Sequence, residues 1–226
     1  MMKNRKISSR AVILGLRNSD TYIVMVHMKY ISKPFLIDIF IVVSGVIGSA
    51  IFYSFLSPWA AASADSTTYL RMAEEMQKGH WHIDHWIRGA YVGPPVFPAL
   101  VALVEWVIPG FEKAGTLVAI VSISASVIPV YLLSWYLYGR RSAIIAITLT
   151  IFNAWFYYYG LSPLTDSLFT AIFLSGILLT LLAYTKKLPL LWFAAGISGG
   201  LALLTRDAGI ILPLSPSSAV QKSKFR

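Results

Sequence analysis

Long apolar runs separated by short polar breaks set the pattern of this chain. Phe35 to Leu56 is the first run near 20 residues, the length at which a helix crosses the hydrocarbon core of a bilayer. Further runs at 114–137, 142–159, 167–184 and 188–204 predict four more spans. Val96–Ile108 is shorter, lies between Pro94-Pro95 and Pro109-Gly110, and carries Glu105. It predicts a short membrane-dipping segment rather than a crossing. Between the first two spans the period changes. Tyr69, Met72, Ala73 and Met76 recur on one side of a short amphipathic helix, with Asp65 placed to cap its start and Gly79 placed to end it. The fold expected is all-α: a polytopic transmembrane bundle with a large external first loop carrying short juxtamembrane helices.

Composition agrees with the spans. Hydrophobic residues make up 57% of the 226 and charged residues only 13%, about half of what a soluble domain of this size carries. Without cysteine, disulfides and thiolate metal sites are excluded. The net charge of +9 does not point to nucleic acid, because seven of the nineteen Lys and Arg precede residue 34 and most others punctuate apolar runs. That placement suits anionic headgroups and the positive-inside rule.

Residues 1–34 therefore read as a basic cytoplasmic tail, and the first span runs outward. If 96–108 does not cross, Arg140-Arg141 and Lys186-Lys187 both fall inside, as the rule prefers. The transmembrane region is expected over 35–214, followed by a polar tail, 215–226, which reads as a truncation of a longer sequence.

This parity gathers three polar clusters on the external face. Asp65-Ser-Thr-Thr-Tyr69 follows the first span. The acid there serves as a cap, or as a carboxylate at the rim of a lipid-facing cavity that accepts a proton from a substrate hydroxyl. In Ser162-Pro-Leu-Thr-Asp166-Ser, Pro163 breaks the chain and Thr165 or Asp166 starts the next helix, so capping again accounts for the acid. Leu203-Leu-Thr-Arg206-Asp207-Ala-Gly209 ends a span containing Gly196, Gly199 and Gly200, glycines suited to close packing. Arg206 suits a local pair with Asp207, or a phosphate held by two parallel hydrogen bonds. His80, His82, Asp84 and His85 form a dense patch, a weak metal candidate whose spacing fits no standard site. Trp81 and Trp86 beside it suggest an aromatic interface belt.

The order of these features resembles the first part of a GT-C superfamily glycosyltransferase, from about Phe35 to Pro213. The resemblance is carried by Asp65 and Tyr69, the Ala73-to-Gly79 helix, Pro-Pro-Val-Phe-Pro, Gly-Arg-Arg, the acid after Pro163, and Gly200-Leu-Ala-Leu-Leu-Thr-Arg206. Pro-Leu-Thr-Asp-Ser-Leu-Phe and Leu-Thr-Arg-Asp-Ala-Gly are similar to stretches of GPI mannosyltransferases. The front half looks more like protein mannosyltransferases and bacterial lipid-linked sugar transferases. The resemblance implies a sugar such as mannose moving from a polyprenyl-phosphate donor to an acceptor on the non-cytoplasmic face of the membrane. Asp65 is then the catalytic or acceptor-orienting carboxylate. Tyr69, Arg88, Asp166, Arg206 and Asp207 are the substrate-binding candidates, with Arg88 and Arg206 toward the lipid phosphate. Asp166 matches an acid that binds a metal in some members, so a divalent ion is an open cofactor. Such enzymes usually continue with several more spans, which a second subunit would have to supply here. A small transporter subunit and an inactive membrane fragment are the competing readings.

Overall fold

A computed structural model describes residues 34–56, 63–80 and 93–210. The basic tail, Arg88, His82, Asp84, His85 and the 215–226 tail lie outside these residues. Every regular element among the described residues is helical, and three helical stretches, one of them two helices joined end to end, are long and apolar enough to cross a membrane.

Helix α1 (Pro34–Leu56) takes the first apolar run whole. Helix α2 (Ala64–Gln77) buries Tyr69, Met72, Ala73 and Met76, the four stripe residues, and Gly79 follows its end at φ +85°, a conformation open to glycine. The expected cap is wrong by two residues. Ser63 is the N-cap, and its hydroxyl and that of Ser66 bond reciprocally to each other's backbone N–H. Asp65 sits inside the first turn, released from capping.

Helix α3 (Val96–Glu105) has ten residues. At 1.5 Å per residue it is about 15 Å long, half the apolar thickness of a bilayer. It buries Phe97 and Val101 against α2 and the start of α4 (Phe111–Ala125). Glu105 acts here as a brace. Its carboxylate accepts from Gly110 N at 3.3 Å and from the Gln77 side-chain amide, tying the ends of α2 and α3 to the Pro109-Gly110 turn.

The expected 114–137 span is two helices in near-continuity, α4 and α5 (Val127–Tyr138), together a 28-residue apolar stretch. At their joint Ser126 Oγ donates to Ile123 O at 2.6 Å, a back-bond of the kind that bends helices. The expected 142–159 span is broken. Helices α6 (Arg140–Ile151) and α7 (Ala154–Leu161) meet at 52°. Tyr53 OH donates to the freed Ile151 carbonyl at 3.1 Å, and Asn153 Oδ1 accepts from Trp155 N and Phe156 N to start α7. Helices α8 (Thr165–Lys186) and α9 (Pro189–Thr205) make the most extensive pairing in the bundle, with Ser198 Oγ donating to Ile172 O at 2.9 Å. Of the three glycines expected to pack closely, Gly199 is buried, whereas a Cβ on Gly196 or Gly200 would meet open space.

The ends of the bundle follow from α1. Near its start, Asp38 accepts from Tyr131 OH at 2.8 Å and lies 2.6 Å from Arg140 Nε. That Nε–H is not aligned on the carboxylate, so the contact is an ion pair without a formed hydrogen bond. Fifteen residues on, about 22 Å along the helix, Tyr53 packs with Ile120, Ile123 and Leu161. The Arg140 turn thus lies at one end, and the start of α4, the end of α7 and the Pro163 break at the other.

Candidate functional site

At that second end three polar segments are held by one apolar cluster. Tyr69, Met72 and Met76 of α2, Phe97 and Val101 of α3, Ala114 and Val118 of α4, and Leu164 and Leu168 around the start of α8 share it. The closest approach is at Gly115 of α4. A Cβ built there would fall 2.8 Å from Leu70 Cδ2 and 2.9 Å from Pro163 Cβ, shorter than van der Waals contact allows. A bare glycine lets α2 and the Pro163 segment meet across α4. Leu70 is five residues, about 1.4 helical turns, beyond Asp65, and Pro163 is three residues before Asp166, so α2 and the segment that starts α8 share this rim of the bundle.

Asp65 is exposed on this rim, and no ion pair or hydrogen bond joins its carboxylate to Asp166, Arg206 or Asp207. Thr67 and Thr68 beside it return their hydroxyls to Ala64 O. Tyr69 is core: it is 8% exposed and meets Phe97 edge to face at 6.0 Å.

Asp166 does not cap α8. The N-cap is Leu164, without a side-chain hydrogen bond, and the Asp166 carboxylate reaches across to Arg206, whose Nη1 it pairs through Oδ1. The expected Arg206–Asp207 pair is therefore replaced by one between α8 and the end of α9. Backbone geometry explains the reach. Arg206 leaves α9 in an extended conformation (φ −163°), its N–H bonded to Ala202 O at 2.9 Å. Asp207–Ile210 then form a 3-10 turn closed by Gly209 N donating to Arg206 O at 2.8 Å. Gly209 presses on the Ala202–Leu203 backbone so closely that a Cβ has no room. The turn folds back over the helix end and aims Arg206 at α8, while Asp207 stays exposed. Below the pair, on the same α8–α9 seam, a shallow cleft of about 260 Å³ is lined by Ala171, Ile172, Ser175, Ile197, Ser198 and Leu201.

The described part of the histidine patch is His80, whose Nδ1 lies 2.8 Å from Glu75 Oε2. That contact first, then Lys78, holds the Glu75 carboxyl below its usual range. Among the described residues no three His, Asp or Glu side chains are grouped as a metal would need.

The profile of the dolichyl-phosphate-mannose-protein mannosyltransferases matches residues 92–216, more than half of the chain. The chain belongs to that family. It is a membrane protein of the GT-C glycosyltransferase type, and the family implies a lipid-linked sugar donor. The matched stretch contains α3 to α9 with Asp166, Arg206 and Asp207, while Asp65, Tyr69 and Arg88 precede it. No curated protein and no solved structure matches the chain.

Sequence reasoning missed Ser63 and the Asp38–Tyr131–Arg140 network. The Ser63-x-x-Ser66 box has a serine at the third helical position, where Glu or Gln is the usual signal. The network joins residues about a hundred positions apart, and no local pattern announces that.

Proposed function

We propose that this mannosyltransferase-family chain moves a sugar, mannose by family precedent, from a polyprenyl-phosphate donor to an acceptor hydroxyl on the non-cytoplasmic face. The supporting observation is the packing at Gly115, which puts the helix of Asp65 against the segment leading to Asp166 and its partner Arg206. Asp65 orients the acceptor hydroxyl and takes its proton as the oxygen attacks the anomeric carbon. The bond from that carbon to the phosphate oxygen breaks, and the lipid phosphate leaves with an added negative charge. Arg206, half exposed with donors to spare, stabilises that charge. Arg88, outside the described residues, is the second cation we place near it.

The test is sugar transfer from a polyprenyl-phosphate donor by the full chain in vesicles. Asp65→Asn should abolish turnover while expression and insertion stay as in wild type. Turnover at the wild-type rate in that variant would remove the proposal.

A broken span is also a transporter feature, and the α6–α7 break is the observation favouring that second reading. Its freed carbonyl is already satisfied by Tyr53, and the residues at the break, Phe152 and Asn153, are not ionisable. Solute flux into liposomes without any lipid donor would support the transporter and count against the transferase.

A further inference from the structure

Asp166 has two chemical futures at this rim: to ligate a cation, or to serve Arg206. Its surroundings favour the second. Oδ1 is occupied by the Arg206 guanidinium, a fixed positive charge standing where a divalent ion would have to approach. The Asp166 side chain is 23% exposed and that of Arg206 is 49% exposed. The buried side of the pair is thus the carboxylate, and the open side is the guanidinium. A guanidinium has five N–H donors in a rigid fork. Pairing through Nη1 leaves the remaining edge free to face outward.

The backbone beneath Arg206 is fixed as well. Its N–H goes to Ala202, its carbonyl accepts from Gly209, and Gly209 is wedged on α9 with no space for a side chain. Thr205 before it is fully buried, with its hydroxyl returned to Leu201 O at 2.6 Å. Root and tip are both held, and what remains free is the outer edge of the fork. That edge matches a planar, bidentate contact with two non-bridging oxygens of a phosphate, a diester in the sugar donor and a monoester once it has left.

We infer that Asp166 is a positioning residue that aims Arg206 at the phosphate of the lipid donor, and that it is not a metal ligand. The inference rests on the donor chemistry proposed above and assigns a task that the family match leaves open.

The experiment uses the full chain in vesicles, with photoactivatable polyprenyl monophosphate competed against the matching neutral polyprenol. The neutral lipid reports a folded apolar surface, and the ratio of the two reports phosphate recognition alone. Wild type should prefer the monophosphate, and EDTA should leave that preference unchanged. Asp166→Asn should lower the preference about tenfold, the scale of one lost charge-assisted contact, with polyprenol labelling intact. Asp166→Glu should restore most of it, and Arg206→Ala should erase it. A wild-type preference that Asp166→Asn leaves untouched would overturn the positioning role alone. So would a preference that EDTA abolishes and a divalent ion restores. A wild type that does not distinguish the two lipids would overturn the donor reading along with it.

Discussion

Asp65 and Ser63 separate two tasks that a sequence assigns to one residue. Because Ser63 and Ser66 close the capping box, Ser63→Ala should destabilise α2 by about 1 kcal/mol. Asp65→Asn should cost only the smaller interaction of an acid with a helix start, about 0.5 kcal/mol. Amide exchange across α2 reads both, and equal losses would return the capping role to Asp65. Gly209 is the other decisive residue. Adding a methyl there drives it into the α9 backbone, so Gly209→Ala should destabilise the protein by about 1–3 kcal/mol, as overpacking does. It should also weaken phosphate-dependent lipid binding, because the root of Arg206 moves; thermal unfolding in detergent and the lipid competition read the two effects. At the far end of α2, Glu75 is held below the usual carboxylate range chiefly by His80 and then by Lys78. A depressed folded pKa contributes stability above the usual value and loses it as pH falls through the depressed one. Protection of the last turn of α2 should therefore weaken as pH falls below the ordinary Glu range. The change should be small, since both side chains are near half exposed.

The elements show how far local pattern reaches. The stripe of α2 was legible residue by residue because the 3.6 period and burial coincide, and α1 and α8 were legible because an apolar run near 20 residues has few other fates. The break between α6 and α7 was not legible. Asn153 is a single polar residue in an otherwise apolar run, too little to divide it by pattern, and the bend is held both by its cap and by a hydroxyl from Tyr53, 98 positions away. The partner of Arg206 was hidden for a similar reason. Asp207 is adjacent in sequence, but the extended backbone at Arg206 and the turn fixed by Gly209 send the side chain toward α8 instead. Asp38 belongs to the same class. It braces α1 against α5 and α6 through Tyr131 and Arg140, so Asp38→Ala should destabilise that end by about 1–3 kcal/mol by leaving buried polar groups unpartnered. Thermal unfolding reads the loss, and an unchanged midpoint would show that the brace contributes nothing.

For the whole molecule, the ten-residue length of α3 keeps the Asp65 helix, the Pro163 break and Arg206 at one end of the bundle. The Asp38–Arg140 pair lies at the opposite end. If the bundle stands across a bilayer in this way, the rim of Asp65, Asp166 and Arg206 faces one compartment and Arg140-Arg141 faces the other. The absence of cysteine from the chain makes this directly measurable. Single cysteines at Thr67, Arg141 and Asp207 can be probed in intact cells with a membrane-impermeant maleimide. Labelling at 67 and 207 from outside, with 141 reached only after permeabilisation, is the predicted result. Labelling of 141 together with 67 from the same side would separate Asp65 from Arg206 and contradict the shared site.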